Sequence, residues 1–288
     1  MSASPPGSHR NTRTTSPKAL TLAVLALLWP LAQLSQAGLP IATLAAAADA
    51  GQSSFGAIKG KLVWGGPEAP ARRISVEKGQ ASKDPTVCAV EKSLINNDLP
   101  VDPKTKGVKF AFAYLPKPKG ANPEAVAALV KSAPTVEIDQ KLCEFLPYAT
   151  AIHQDQTLVF KSSDPVGHNI HISPFTNAAF NTSISPNGQI EKKFVAERRV
   201  IPLACDIHPW MKGYIMVFDH PFFAVTATDG SFEIKGVPPG AQNLVIWQAA
   251  VGYATPGLAK GMPVTVKAGE TTDIGEVKLD PAKVKLTP

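Results

Sequence analysis

The sequence predicts an all-β fold made of two β-sandwiches. The 288 residues include 27 prolines and 21 glycines, a composition that favours short strands and turns over long helices. Short runs of alternating apolar and polar residues recur, as in 55–64, 135–139 and 157–161. Apolar residues make up 44% of the chain and charged residues 18%, which is typical of globular proteins and not of disordered ones.

The predicted elements fall into three groups along the chain. Before residue 134, the pattern predicts two strands and a two-turn helix, at 55–64, 108–115 and 124–131. Residues 77–106 are mixed and polar, and no element is assigned to them. Between 134 and 221, short strands are predicted at 135–139, 157–161, 169–172, 191–195, 200–204 and 214–218. Beyond 221, a turn at 228–230 precedes strands at 231–234, 244–247, 264–266 and 275–279, and this close spacing is typical of β-sandwiches.

The N-terminal 50 residues have the pattern of an export signal. Basic residues within 10–18 precede an apolar run over 19–29, which ends at Pro30 and is followed by small residues with cleavage options near Ala37 and Ala50. The apolar run is short for a bilayer, which needs about 20 residues, although an uncleaved anchor is left open. We therefore expect an exported protein, periplasmic or otherwise secreted, with membrane contact only if this segment is retained.

The charge pattern does not indicate a nucleic-acid partner. The net charge of +6 is modest for 288 residues, and Lys and Arg form no dense stripe. The small basic cluster over 192–199 is expected to be solvated surface.

The segment from Cys205 to Met211 places a thiol, an imidazole and a thioether in one loop, with His208 between the other two. A trigonal copper site needs a Cys and two His in a plane and a weak axial Met. His168 can supply the second imidazole, whereas His171 should face the opposite side of an extended strand. Structural zinc sites usually contain two or more Cys and do not use Met, so copper is favoured over zinc and over simple packing of the loop. We therefore predict one copper ion bound by His168, Cys205, His208 and Met211.

The three cysteines predict one disulfide. Exported chains mature in an oxidising compartment, where thiols pair, and an odd number leaves one over. Because Cys205 has a use as a metal ligand, we predict a Cys88–Cys143 bond. It would close a loop of about 55 residues and stabilise the fold by ~4 kcal/mol by chain-entropy reasoning. Two buried free thiols are the alternative.

Two motifs together resemble the amicyanin branch of the cupredoxins. They are Cys205-Asp-Ile-His-Pro-Trp-Met-Lys-Gly213 and Gly167-His-Asn-Ile-His171, and the resemblance covers roughly 134–221. It implies a Greek-key β-sandwich with a type 1 (blue) copper held by the four predicted ligands. It also implies that Asn169 braces the site through hydrogen bonds to the Cys loop.

A second resemblance concerns the sequence Thr228-Asp-Gly-Ser-Phe-Glu-Ile-Lys-Gly-Val-Pro-Pro-Gly240. It looks like a carboxypeptidase regulatory-like (transthyretin-like) module, whose leading strand is matched by 56–63. This strand precedes the copper segment, so the hypothesis is a copper domain inserted into a second sandwich, an arrangement similar to methylamine-utilisation-like copper proteins. The expected divisions are an export segment (1–50), an N-terminal β region that completes the C-terminal sandwich (51–133), the cupredoxin-like copper domain (134–221) and the regulatory-like sandwich (222–288).

These features predict a carrier of single electrons between a redox donor and an acceptor. His208, beside Pro209 and Trp210, is expected to be the partly exposed ligand at which electrons enter or leave, within a small apolar docking patch. Copper storage or delivery without redox turnover is the alternative. Catalysis would need an open coordination position and an acid or base beside it. Because only Asp206 and His171 are candidates for that role, no enzymatic activity is expected.

Overall fold

The structure is a computed structural model of the chain, and it describes residues 54–285. The predicted export segment at 1–50 lies outside the described residues. Within 54–285, no helix is both long enough and apolar enough to cross a membrane. The all-β prediction is confirmed, because strands dominate this part of the chain and one α-helix accompanies them.

The elements, in chain order, are β1 (Gly56–Trp64), β2 (Ile74–Val76), β3 (Leu94–Ile95), β4 (Phe112–Tyr114), α1 (Pro123–Ser132), β5 (Thr135–Lys141), β6 (Glu144–Leu146), β7 (Ala149–His153), β8 (Thr157–Ser162), β9 (His168–Ile172), β10 (Phe180–Ile184), β11 (Gln189–Lys192), β12 (Ile201–Ala204), β13 (Lys212–Phe218), β14 (Phe223–Val225), β15 (Ser231–Val237), β16 (Gly240–Gln248), β17 (Gly252–Tyr253), β18 (Met262–Val266) and β19 (Thr271–Leu279).

The first sandwich consists of two sheets whose strands lie within residues 135–218. One sheet has the order β10-β9-β12-β13-β7 and the other β11-β8-β5-β6. Alternate residues of facing strands, such as Ile138, Phe160, Ile170 and Ile215, are fully buried between the sheets. This period-two burial is what the alternating sequence of each strand requires. Strand β9, which begins with His168, is a neighbour of β12 and β13 in one sheet, and the loop between β12 and β13 contains the other three predicted ligands.

The second sandwich takes strands from both sides of the first sandwich in the sequence. Its sheets have the orders β15-β1-β19 and β14-β4-β16-β17, with β18 also paired to β16. Strand β1 pairs antiparallel with β15 and parallel with β19, and β4 pairs antiparallel with β14 and β16. Segments before and after the first sandwich therefore share both sheets of the second, which closes its own buried core.

The segment between β2 and β3, residues 77–93, packs on the first sandwich and is called the cap segment below. Ala81, Cys88 and Ala89 are buried in the core of the first sandwich. The predicted Cys88–Cys143 disulfide is present, with a Cα–Cα distance of 5.4 Å. It fastens the cap segment to the turn between β5 and β6. This part of the N-terminal region therefore lies with the first sandwich, whereas β1 and β4 belong to the second.

Candidate metal centre

Three of the four predicted ligands converge in the interior of the first sandwich. The Nδ1 atoms of His168 and His208 are 3.0 Å apart. The Sγ atom of Cys205 lies 4.0 Å from Nδ1 of His168 and 3.8 Å from Nδ1 of His208. Both histidines are 0% exposed and Cys205 is 2% exposed. Residues 40 positions apart in the sequence thus present two nitrogens and a sulfur to one buried point.

The fourth predicted ligand, Met211, closes the loop that carries Cys205 and His208. Its backbone N–H donates to the carbonyl oxygen of His208 at 2.8 Å, and its carbonyl oxygen accepts from the N–H of Cys205 at 3.4 Å. The side chain is buried in the core of the first sandwich. The loop is therefore a compact turn between β12 and β13 that holds its three potential donor side chains inward.

A buried carboxylate orients His168. The Nε2 atom of His168 lies 2.9 Å from Oδ2 of Asp164, and the same carboxylate accepts from the backbone N–H groups of Leu142 (2.6 Å) and Cys143 (2.9 Å). Leu142 and Cys143 form the β5–β6 turn with φ of 53° and 59°, the left-handed pair that a tight hairpin turn requires. Burial would raise the pKa of Asp164, but the hydrogen bonds from His168 and the two N–H groups bring it below its ordinary value. Asp164 is therefore an anion that ties turn and histidine together.

A second carboxylate orients His208, and it comes from the cap segment. The Nε2 atom of His208 lies 2.8 Å from Oδ2 of Asp84. An ionised carboxylate only accepts hydrogen bonds, so Nε2 of each histidine donates to its carboxylate, and Nδ1 has a lone pair for a metal ion whenever the ring is neutral. Holding the outer nitrogen in this way fixes the tautomer and the ring orientation of a metal-binding imidazole.

Asn169 links strand β9 to the Cys loop. Its Oδ1 atom accepts from the N–H of Asp206 at 2.7 Å and from the N–H of Ile207 at 3.4 Å. Its backbone N–H donates to Sγ of Cys205 at 3.5 Å. These hydrogen bonds hold the Cys205 sulfur against β9.

The surroundings of Cys205 favour its thiolate. Burial alone would raise the pKa of this thiol, but hydrogen bonds with His168 and His208 and from the N–H of Asn169 bring the pKa down to about 6. Burial would lower the pKa of His168, whereas its hydrogen bond to Asp164 raises it to about 9. A thiolate is the form of cysteine that binds metal ions.

His171 points away from the converging ligands. Its side chain is 44% exposed, and its Nδ1 atom lies 2.8 Å from Oδ1 of Asp206 at the surface. His168, three residues earlier on the same strand, is completely buried. The strand alternation that placed the two histidines on opposite faces therefore holds in the structure.

The expectation that His208 is partly exposed is wrong. Its side chain is 0% exposed, since Asp84 and the rest of the cap segment cover its outer nitrogen. Pro209 is exposed and Trp210 is half-buried, and the ring centroids of Trp210 and His208 are 5.3 Å apart. The sequence did not indicate this cover, because no element was assigned to 77–106.

Sequence reasoning also missed the two carboxylates. Asp164 precedes His168 by four residues across a Pro-containing turn, and this spacing could have indicated a partner for the histidine. Asp84 is 124 residues from His208, and no local pattern marks it.

The donor set fits a copper ion. Two imidazole lone pairs that face each other at 3.0 Å repel unless a proton or a metal cation lies between them. The group of His168, Cys205 and His208, with all donor atoms within 4.8 Å of one another, supplies the two nitrogens and one thiolate of a trigonal copper site. A closed zinc site would usually require more thiolates and would not use Met211 as a ligand.

Comparisons with known proteins give a partial likeness to cupredoxins. No protein-family model matches the chain, and no curated protein matches it. Among solved structures, a copper-containing nitrite reductase from Thermus scotoductus SA-01 is 21% identical, over 29% of this chain and 22% of that chain, with a TM-score of 0.27. A methionine-to-alanine mutant of amicyanin in the Cu(I) state is 16% identical, over 37% of this chain and 98% of that chain, also with a TM-score of 0.27. An oxidised proline-to-alanine mutant of amicyanin is 19% identical with the same coverage and TM-score.

These comparisons correct one prediction. The sequence led us to expect no enzymatic activity, but a copper-containing nitrite reductase stands among the structural neighbours. The region similar to this chain is 22% of that enzyme, whereas in amicyanin it is 98% of the protein. Likeness to a cupredoxin therefore gives no ground for excluding catalysis, and the exclusion drawn from the sequence is withdrawn.

Proposed function

We propose that this chain is an exported type 1 (blue) copper protein that carries single electrons between redox partners. The observation that carries the proposal is the convergence of two histidine Nδ1 atoms, 3.0 Å apart, with the Cys205 sulfur within 4.0 Å of each. His168, Cys205 and His208 would hold one ion, and Met211 would supply a weak thioether donor. Bound copper supplies a one-electron couple between Cu(I) and Cu(II).

The protein keeps the donor side chains in place in both oxidation states. Asp164 and Asp84 fix the outer nitrogens of His168 and His208. Asn169 fixes the loop that carries the thiolate. Donors that do not reorient keep the reorganisation on electron transfer small, which is what a carrier needs.

Electron exchange requires a contact between the buried ligands and the surface. His208 itself is covered, so its half-buried neighbour Trp210 is the proposed route. The exposed Pro209 beside it provides an apolar rim. A small patch of this kind suits weak, transient docking of a redox donor or acceptor.

Copper storage or delivery without redox turnover is the second candidate. The observation that favours it is the complete burial of both imidazoles beneath the cap segment. A covered site releases its ion slowly and offers a partner protein little direct contact with the ligands.

We propose the divisions 1–50, 51–133, 134–221 and 222–288, with the second sandwich as a transthyretin-like module and the periplasm as the compartment. The pairing of β1 with β15 and β19 supports a module interrupted by the copper domain.

Optical and electron paramagnetic resonance spectra of the full chain with one equivalent of Cu(II) test the copper site. We expect an intense blue thiolate-to-copper band with narrow copper hyperfine splitting. Cys205→Ala should abolish both signals, and the control His171→Ala should keep them. A colourless copper complex, or a preference for zinc, would contradict the type 1 assignment. Reversible one-electron voltammetry then supports the carrier, whereas a tightly bound Cu(I) that does not exchange electrons supports storage.

A further inference from the structure

The disulfide lies directly beside the candidate metal centre. The Sγ atoms of Cys88 and Cys143 and a ring nitrogen of His208 all lie within 4.8 Å of one another. The Sγ atom of Cys143 also forms such a group with Asp164 and His168. All of these side chains are buried. Three cysteine sulfur atoms therefore lie around the candidate metal centre, of which only that of Cys205 is a free thiol.

The position of Cys88 is coupled to the cover over His208. The backbone N–H groups of Val87 and Cys88 both donate to the carbonyl oxygen of Asp84 at 2.9 Å. Asp84 and Cys88 thus belong to one turn, which holds the histidine through the carboxylate and the β5–β6 turn through the disulfide. The β2–β3 ladder at the base of the cap segment is very short, with strands of three and two residues. Beyond this ladder, the disulfide is the covalent element that keeps the cap segment on the site.

We propose that reduction of the Cys88–Cys143 disulfide creates a second metal site, in which the two thiolates bind Cu(I) beside His208. In the reducing step, a dithiol gives two electrons and two protons, the S–S bond breaks, two cysteine thiols form, and the dithiol becomes a disulfide. Cu(I) then displaces the thiol protons without a change in its oxidation state. Soft thiolate ligands select Cu(I).

The proposal extends the function proposed above and uses different ligands from the first ion. With the disulfide intact, the pocket offers one thiolate, that of Cys205. With the disulfide reduced, it offers three, and all three begin within one buried pocket. The cap segment would then be a redox-controlled part of copper binding and not only a cover.

Cu(I) titration of the full chain tests the second site. The metal-free protein is used with its disulfide intact, or after reduction with dithiothreitol and removal of the reductant without oxygen. Cu(I) is added as its acetonitrile complex against the competing chelator bicinchoninate. We expect one equivalent of tightly bound Cu(I) in the intact protein and two in the reduced protein. The double variant Cys88→Ser/Cys143→Ser should bind one equivalent under both conditions.

Two further measurements separate this proposal from the function of the first site. Reduced Cys205→Ala should keep one equivalent, held by Cys88 and Cys143, while the intact form of this variant binds none tightly. If the first site does not bind copper at all, the reduced wild-type chain should still gain one equivalent over the intact chain. One equivalent in both redox states of the wild type would overturn the second site, and so would loss of the folded circular dichroism spectrum on reduction.

Discussion

At the scale of single residues, two carboxylates determine how the candidate ligands are presented. Asp164 and Asp84 each bind the outer nitrogen of one histidine, at 2.9 and 2.8 Å. Asp164 also accepts hydrogen bonds from two backbone N–H groups of the β5–β6 turn, whereas Asp84 belongs to the cap segment. Both carboxylates therefore orient an imidazole, but only Asp164 also holds the β5–β6 turn through hydrogen bonds.

Asp164→Asn should weaken both metal binding and stability. An amide cannot accept hydrogen bonds from the histidine and from both N–H groups as an ionised carboxylate does. We expect a loss of roughly 10–100-fold in copper affinity, as for other partners of metal-binding histidines. We also expect a loss of about 2–3 kcal/mol in the free energy of unfolding, because the removed interactions are charged and buried. Copper titration and urea unfolding measure the two quantities.

The matched control is Asp273→Asn, at an exposed carboxylate of the second sandwich that pairs with Lys59. Exposed ion pairs contribute little, so its unfolding free energy should change only slightly and its copper affinity not at all. Equal effects of the two variants would show that Asp164 has no special role in orienting His168.

Because of Glu197, the free energy of unfolding should decrease as the solution becomes acidic. It is buried and accepts hydrogen bonds from the N–H groups of Thr176 (2.7 Å) and Asn177 (2.8 Å). Burial would raise the pKa of Glu197, but the hydrogen bonds from Asn177 and its neighbours lower it below the ordinary 4.5. Because the folded pKa is the lower one, this stabilisation is fully present above about pH 4.5 and is lost as the pH falls through the folded pKa.

Comparison of the wild type with Glu197→Gln checks this expectation. In urea unfolding, the variant should be clearly less stable at pH 7, and the difference should shrink as the pH falls below 4.5. A difference that stays constant over this pH range would mean that the charge of Glu197 does not contribute.

At the scale of elements, a strand with one buried face can be predicted from the alternation of its sequence. Strand β1 alternates between buried and accessible residues, as its sequence indicates. Strand β7 was missed because it is short, lies parallel beside β13 and is mostly buried, which leaves no clear alternation. Strand β10 was missed because it is a polar edge strand.

In the candidate site too, residues close together in the sequence could be predicted, whereas residues brought in by distant contacts could not. Cys205, His208 and Met211 could be grouped from the sequence because they share one loop, and His168 because it begins a strand. The position of Asp84 depends on packing of the cap segment against a turn 55 residues further along, at the disulfide. No periodic pattern records such a contact.

The turn before β15 requires glycine for two reasons. Gly230 has φ of +77°, and a Cβ there would collide with the carbonyl oxygen of Leu62 in β1. The N–H of Leu62 donates to the carbonyl oxygen of Gly230 at 2.9 Å, so the turn and the strand are in direct backbone contact. Gly230→Ala should therefore lose roughly 2–5 kcal/mol of unfolding free energy, the sum of left-handed strain and overpacking. Urea unfolding measures it.

Gly252→Ala is the control for backbone strain alone. Gly252 has a similar φ of +71°, but a Cβ there would meet no atom within 4 Å. Its loss should be limited to about 1–2 kcal/mol. If the two variants lost the same amount, the close approach of the turn to β1 would not be a determinant of stability.

At the scale of the whole molecule, aromatic side chains join the two sandwiches. Phe218 of β13 stacks on Phe223 of β14, with ring centroids 4.5 Å apart, and lies 5.3 Å from Tyr114 of β4. Tyr214, also on β13, meets Trp247 of β16 at 5.2 Å. Since β13 belongs to the first sandwich and the other three strands to the second, these buried and partly buried rings form one cluster across both. The chain also passes between the sandwiches four times, because the cap segment lies on the first sandwich between β1 and β4 of the second. We therefore expect the described part of the chain to unfold as one cooperative unit.

Phe218→Ala should uncouple the two sandwiches. Removing a buried phenylalanine costs about 3–5 kcal/mol, and here the lost contacts lie at the junction and not within either separate core. Calorimetry should show one thermal transition for the wild type and two for the variant. The copper-loaded variant should shift only the transition of the first sandwich, because a ligand stabilises the unit that binds it. Phe175→Ala, at a side chain that is 61% exposed, is the size-matched control and should keep the single transition. Two transitions in the wild type would mean that the cluster is too weak to couple the sandwiches, and that the first sandwich with its candidate metal centre folds independently of the second.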